Sequence, residues 1–321
     1  NFPHNSIMVQ TTVGGSLGET DDDLRWLVDY IQTNDPDGEG YYQAYTHIAP
    51  DETIMEETDE EHFYQIGGAT IFDNNGVKEL QMLWGEMDNH EGKMTRTGTC
   101  LAVYSLEGQP GNSTYLKRIS KNEEFNTDDV GYGSTIWKDE DGHIYLYVTE
   151  NNRPLVARTT THDLTSEWEY YIRDLSGNFM WQKMYPTKEE RTRSTIMENN
   201  YVCSMPQIFK KGDYYYMIGQ AVSYVHSVYL YRGETPYGPF TDQKILFNVP
   251  YAVDKIGNQY YKNLLRVNLH LELAREGELV FSTNTDADTA GDNFDFPGSA
   301  DFCRPYFYRV FNWESIYDED E

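Results

Sequence analysis

The sequence predicts an all-β chain folded as a five-bladed β-propeller whose first blade is incomplete. Three observations carry that prediction. Residues 205–220, MPQIFKKGDYYYMIGQ, hold two apolar and aromatic runs split by a Lys-Gly-Asp turn, the pattern of a β-hairpin. The pattern recurs at residues 68–86 with Asn75-Gly76 at the turn, at 133–150 with Asp141-Gly142, and at 266–284 with Glu276-Gly277. Each copy is followed by a further strand-like run, at 100–106, 155–160, 227–232 and 305–311, so a multi-stranded module repeats at near-constant spacing. A β-sandwich with accidental likeness between hairpins is the alternative.

Taken in order, residues 6–12 form an opening strand that reads as the third strand of a blade whose inner hairpin is absent. Residues 14–24 are a turn-rich acidic loop, 24–32 has a mixed pattern that fits an outer strand or, less well, a short helix, and 33–62 is an acidic surface excursion with few apolar anchors. With this partial blade over 1–62, the other blades occupy about 63–128, 129–202, 203–259 and 260–321 of a single domain. Inside the third blade, 174–202 reads as a long connection carrying Trp181 and the charged segment 188–193. Residues 233–243 are a Pro/Gly turn series, 286–301 a Gly/Asp/Phe-rich loop, and the acidic tail 318–321 is expected to fray.

Composition narrows the partners. With 53 acidic against 25 basic residues the net charge is -28, which argues against nucleic acid, whose binding needs clustered Lys and Arg. An aromatic share of 15 % supplies the flat amphipathic faces that both strands and sugars favour. Cys100, Cys203 and Cys303 are too few and too separated for a disulfide framework or a zinc knuckle. No run is long and apolar enough to span a bilayer, and the opening residues do not read as a signal peptide, which a mature secreted chain would have lost, so localisation is expected to follow from function. The chain lacks a HExxH helix, a phosphate-cradling Gly-rich loop and a GxSxG elbow, which leaves zinc-protease, nucleotide and serine-hydrolase chemistry without support. No cofactor is expected. The Asp-rich loops at 21–23, 139–141 and 286–292 are open to structural calcium, although none has calcium-hand spacing.

In an up-and-down blade the end of the second strand and the starts of the first and third lie at one end, where function collects. Second-strand ends across the repeats bring Trp84, Glu86 and Asp88, then Glu150 and Asn151, then Gln220, then Asn284 and Asp286. Third-strand starts add Arg96, Arg153 and Arg304. Similar core positions with end positions that vary as Glu, Glu, Gln and Asn suggest one scaffold carrying a composite polar pocket. Two carboxylates converging there suit glycoside hydrolysis, in which one acid protonates the leaving oxygen and the other is base or nucleophile. Glu86 and Glu150 are the first candidates, with Asp286 behind them. Trp84, Asp88, Asn151, Gln220, His270, Asn284 and Arg304 are the candidates for positioning sugar hydroxyls, and no metal ligands are expected. For any one acid the plainer reading is an exposed strand-end carboxylate.

The modules GATIF, LQMLWGE, MPQIFKKGDYYYMIGQ and GPFTDQKILF resemble those of five-bladed β-propeller glycosidases, the arabinanase, xylosidase and fructosidase superfamily. FPHNSIMVQ near the start, LHLELAREGELVFSTNTDA near residue 280 and CRPYFYRVF near the end are similar to a bacterial propeller group, some of whose members are related to endo-D-arabinanases. The resemblance runs over almost the whole chain. It implies a pocket at one end of the propeller axis with two or three catalytic carboxylates, and Asn284 and Arg304 as sugar-binding positions. Such relatives often carry one acid in the inner strands of the first blade, which this chain lacks, and another near the start of the second, where it has Gly67 and Gly68. The expected function is therefore a secreted, periplasmic or cell-surface glycoside hydrolase-like propeller acting on a furanose-containing polysaccharide or oligosaccharide. A non-catalytic carbohydrate-binding propeller and a protein-interaction scaffold are the alternatives.

Overall fold

Antiparallel sheets made of consecutive strands follow one another along the chain, as the repeat requires. The computed structural model describes residues 62–90, 93–108, 116–126, 130–197, 201–202, 205–221, 225–250, 263–286 and 305–320. The first sheet pairs β1 (His62–Asn74), β2 (Val77–His90), β3 (Lys93–Ser105) and β4 (Arg118–Asn126) in that order. Between β1 and β2, Asn75 (φ 54°) and Gly76 (φ 89°) are successive left-handed residues, as in a type I′ turn, and the Gly76 N–H donates to the Asp73 carboxylate at 2.6 Å. The Asn-Gly signal thus has its physical cause in backbone that few other residues adopt.

The second sheet has five strands: β5 (Thr135–Lys138), β6 (Ile144–Glu150), β7 (Arg153–Thr159), β8 (Trp168–Arg173) and β9 (Phe179–Gln182). Ile144, Tyr145, Leu146, Tyr147 and Val148 are all buried, so β6 is covered on both faces and its apolar run is continuous. The 174–202 segment is more ordered than a plain connection. It contributes β9 and then helix α1 (Lys188–Arg193), which starts on a capping box between Thr187 and Glu190.

The third sheet is β10 (Gln207–Lys211), β11 (Tyr214–Gly219), β12 (Ser227–Gly233) and β13 (Thr241–Asn248), with the expected tight turn at Gly212 and Asp213 between the paired Lys211 and Tyr214. The fourth is β14 (Asn263–Leu269), β15 (Glu278–Asp286) and β16 (Tyr306–Phe311). Its hairpin is looser than the repeat suggests. β14 stops at Leu269, and a 3-10 turn over Leu271–Leu273 buries Leu273 before the chain reaches Gly277. His270 therefore caps that turn and is not part of the first strand of its sheet.

Each sheet is an up-and-down meander, the repeat of an all-β propeller; four such sheets lie among the described residues. The chain divides into two compact units, Asn1–Leu146 with Thr159–Glu167, and Tyr147–Arg158 with Trp168–Glu321. In the first, Met82, Trp84, Cys100, Ala102, Tyr104 and Leu116 form a core cluster, alternate residues of β2 and β3 pointing to one face. Burial of each large apolar member contributes about 1.5–3 kcal/mol. In the second, main-chain bonds from Phe240 to Ile196 (2.9 Å) and from Ile196 to Pro154 (3.0 Å) join segments far apart in sequence.

The glycine pair of β1 has a packing origin. Ile66 pairs with Trp84 and Ala69 with Met82, so Gly67 and Gly68 form a bulge opposite Leu83. A Cβ on Gly67 would lie 2.8 Å from the Leu83 carbonyl oxygen, and one on Gly68 would lie 2.5 Å from Ile136. The Gly68 N–H donates to the Gly133 carbonyl at 2.7 Å. A side chain does not fit where the resemblance leads one to expect an acid.

Candidate active site

The first hairpin is longer than its repeat partners, and the added length builds a pocket. β1 begins at His62 and not at Gly67, and β2 runs on to His90, so Glu86 lies inside a strand with Tyr64 beside it on β1 and Gly98 beside it on β3. Two bulges shape this end. Glu86 pairs with Gly98 while Met87 pairs with Arg96, leaving Thr97 as the extra residue. Residues 123–125 of β4 stand opposite Cys100 alone, since Thr99 pairs with Asn126 and Leu101 with Asn122. Bulges bend a strand and re-aim its side chains. The outcome is a cavity of about 210 Å³ lined by His62, Phe63, Tyr64, Glu86, Met87, Asp88, Thr97 and Glu123.

Two glutamates of this cavity live in different surroundings. One oxygen of Glu86, Oε1, is buried with no hydrogen-bond partner, and the other, Oε2, occupies space that a Cβ on Gly98 would invade at 2.6 Å. Burial pushes the Glu86 pKa above the ordinary glutamate value, and the charge of Glu123 adds to the rise; Lys121 and Arg96 oppose it, and Asp88 reinforces it. Glu123 is more exposed and well partnered. Its Oε1 accepts from the Tyr64 hydroxyl at 3.0 Å and from Lys121 Nζ at 2.5 Å. Lys121 also lies over the Tyr64 ring, 5.1 Å from its centroid.

The neighbours keep their protons. Burial pushes the Tyr64 phenol up to about 12; Lys121 opposes the shift and the bond to Glu123 adds to it, so Tyr64 stays a donor. The Lys121 ammonium is raised although burial works against it, because its contacts with Glu123 and Tyr64 outweigh that cost. Cys100 is pushed up to about 12, chiefly by burial, and is an inert thiol at neutral pH. At the rim, His62 Nε2 stands 3.3 Å from Asp88. A carboxyl group whose hold on its proton is strengthened by burial, in one cavity with a carboxylate that accepts hydrogen bonds, is an arrangement that acid–base catalysis can use. Among the described residues no group of three or more His, Cys, Asp or Glu is placed to hold a metal ion.

Comparison with known proteins bears on the whole chain. The family model described as "Domain of unknown function (DUF5005)" matches residues 1–313. The chain belongs to the DUF5005 family. A crystal structure of a candidate hydrolase from Bacteroides ovatus ATCC 8483 is 53 % identical, covers 98 % of this chain and 78 % of its own, and superposes with a TM-score of 0.80. Two α-L-arabinofuranosidases are much more distant. That of Lactobacillus brevis is 8 % identical over 75 % of this chain and 71 % of its own, with a TM-score of 0.41. That of Podospora anserina, solved with cellotriose, is 10 % identical over 81 % and 67 %, with a TM-score of 0.39. No functional conclusion rests on either. The curated proteins contain no match.

In this DUF5005 chain the remaining sequence candidates have other surroundings. Trp84 is wholly buried in the core cluster, its indole N–H without a hydrogen-bond partner, and its ring does not line the pocket. Glu150, at the end of β6, is held by Arg191 of α1 through Nε to Oε2 at 3.1 Å and Nη2 to Oε1 at 3.2 Å. Arg191 is itself buried and donates to the Pro186 carbonyl at 3.0 Å. Asn151 (φ 54°) and Asn152 (φ 60°) make the turn from β6 to β7, and left-handed backbone favours asparagine there. Gln220 is buried, its amide donating to the carbonyls of Val225 at 2.7 Å and Leu264 at 3.0 Å, so it ties β14 to the loop after β11.

His270 is engaged within its own sheet, with Nε2 2.8 Å from Ser282 Oγ and Nδ1 3.3 Å from Glu272. Asn284 is half-buried on β15 opposite Leu265, and Asp286 closes the same strand opposite Asn263. Arg304 and the Asp-rich loop at 21–23 lie outside the described residues. In the loop at 139–141 the acids are taken up by protein donors: Asp139 accepts from Trp137 Nε1 at 2.7 Å, and Asp141 from the Tyr145 hydroxyl at 2.6 Å.

Sequence reasoning missed Glu123, Lys121 and Tyr64. β4 reads RISKNEEFN, a polar outer strand outside the repeated hairpin, and comparison of hairpins passes it by. One signal was present. Lys121 and Glu123 are two apart on a strand, the spacing that puts an acid and a base on one face.

Proposed function

We propose that the chain is a glycoside hydrolase-like propeller that cleaves a polysaccharide or oligosaccharide, with Glu86 as proton donor and Glu123 as the opposing carboxylate. The observation that carries this reading is the pairing of a buried, unpartnered carboxyl oxygen with a hydrogen-bonded carboxylate in one cavity. The candidate-hydrolase description of the Bacteroides ovatus relative agrees with it. Glu86 protonates the glycosidic oxygen, Tyr64 and Lys121 hold Glu123 in place, and Asp88 with His62 contacts sugar hydroxyls at the rim. Glu150, occupied by Arg191, supports the architecture in this scheme.

A furanose-containing polymer is the substrate we favour, on the resemblance of the repeat motifs, and a polymer is met outside the cytoplasm, whether the chain is secreted, periplasmic or on the cell surface. Residues before His62 would supply the fifth blade. The test is release of reducing ends from arabinan, fructan and galactofuranan. Turnover on at least one is expected, with Glu86→Gln lowering it about 10²- to 10⁴-fold. Binding without turnover would replace this reading with that of a carbohydrate-binding propeller, which the capture of Glu150 by Arg191 would also suit. Absence of binding to any glycan would leave a protein-interaction scaffold.

A further inference from the structure

The bulge in β3 decides which side chain enters the cavity. Counted by strand alternation from Gly98, Arg96 would share the face of Glu86 and Thr97 would point the other way. The extra residue reverses that order. Glu86 and Gly98 share one face, since the Glu86 carboxylate fills the space a Cβ on Gly98 would need. Arg96 stands on the opposite face: a Cβ on Gly85, the residue before Glu86 on β2, would collide with its guanidinium, and its Nη2 donates to the buried Thr99 hydroxyl at 3.0 Å. Thr97 is delivered to the cavity in its place, exposed and with its hydroxyl unpartnered among the described residues.

The charge of the cavity follows from this arrangement. Three carboxyl groups line it, Glu86, Asp88 and Glu123, and the lining residues include neither Lys nor Arg. Lys121, on the strand of Glu123, is bound to that carboxylate at 2.5 Å and lies over the Tyr64 ring. His62 is the basic side chain of the lining, and it stands 3.3 Å from Asp88. A sugar hydroxyl meets hydrogen-bond partners here, whereas a carboxylate or sulfate would meet like charge. We propose that Thr97 is a substrate-contacting, specificity-determining residue: its hydroxyl bonds a sugar hydroxyl, and by holding the place that strand alternation would give Arg96 it keeps the cavity selective for uncharged glycans over uronate- or sulfate-bearing ones. The inference deepens the function proposed above and needs the cavity to bind a glycan, whether or not it cleaves it.

The experiment titrates the full chain calorimetrically with arabinan, fructan and galactofuranan oligosaccharides, each also prepared with its primary hydroxyls oxidised to carboxylates and with those carboxylates converted to primary amides. The wild-type chain should bind at least one neutral oligosaccharide, and its amide form at least about 10-fold more tightly than its carboxylate form. Thr97→Val, which keeps the shape and removes the hydroxyl, should weaken the neutral ligand roughly 3- to 10-fold at an unchanged urea midpoint, and any turnover should change in KM more than in kcat. Thr97→Ser should keep the wild-type affinity. Thr97→Lys should narrow or reverse the preference for amide over carboxylate; one added cation in a chain of net charge -28 cannot do this through the overall charge. Unmoved affinity in folded Thr97→Val, equal wild-type binding of amide and carboxylate, or binding of no oligosaccharide at all overturns the proposal. Weakened binding of a glycan that is never cleaved would uphold it and sink the hydrolase reading, and cleavage indifferent to Thr97→Val would do the opposite.

Discussion

Glu86 and Glu150 occupy matching places in the repeat, near the end of the second strand of successive sheets, and meet opposite fates. Glu86 has a buried oxygen without a partner, a second carboxylate in the same cavity and a raised pKa. Glu150 has both oxygens on a buried arginine. The difference comes from what each blade adds outside its hairpin. The first sheet lengthens its strands and bulges β4, which brings an acid up to the acid. The second inserts helix α1 after β9, which brings a cation. A repeat transmits backbone position, and the irregular segments decide the chemistry.

The largest expected effect breaks the Glu150 side of this contrast. Arg191→Met removes a buried cation and leaves Glu150 partly buried without its counter-charge, and should cost about 3 kcal/mol in urea unfolding of the full chain. Glu150→Gln keeps hydrogen-bonding capacity and should cost less. Were Arg191→Met to lose under about 1 kcal/mol, within the reach of an ordinary exposed pair, Glu150 would not be the structural anchor described.

Glu86 should behave in the reverse sense. Burial raises its pKa above that of an ordinary glutamate, so the folded chain binds this proton more tightly than the unfolded chain. Below the ordinary glutamate range both states are protonated and no penalty exists. As pH rises through that range and past the raised folded value, the folded state loses stability. Glu86→Gln removes the penalty, and should stabilise the chain by about 1 kcal/mol at neutral pH, with the gain closing on acidification. Thermal melts of both proteins across the acidic range read this directly. A variant equally or less stable at neutral pH would show that the buried carboxyl oxygen of Glu86 carries no penalty in the folded chain.

How far these differences are legible in the sequence depends on the kind of interaction. Gly-containing turns and alternating apolar runs are local, and they mark the hairpins at 68–86, 133–150 and 205–220 by residue pattern alone. The hairpin at 266–284 is legible in outline, but nothing local announces that Leu273 drops into the core and draws out a 3-10 turn. Strand β9 is hidden because 174–202 lacks a repeat partner. Glu86, which lines the cavity, is reached from sequence because it stands in the repeat. Glu123 is not, because its place depends on a bulge that opposes residues 123–125 to Cys100 alone, a register fact that no spacing encodes. Trp84 illustrates the converse: position in the repeat points to the pocket, while the alternation with Met82 points to the core, and the alternation wins.

The smallest effect sharpens the comparison at the residue beside Glu150. Asn151 is a sequence candidate for holding sugar hydroxyls, yet its φ of 54°, followed by 60° at Asn152, already accounts for asparagine at this turn. Asn151→Gly keeps the left-handed backbone and deletes the side chain, so stability should change by less than about 0.5 kcal/mol. If the turn is the whole reason for the residue, glycan binding or turnover measured on the same variant will be unchanged as well. Loss of either at unchanged stability would instead give the side chain a ligand, and the Glu150 end of the second sheet would regain a functional part that its ion pair alone does not suggest.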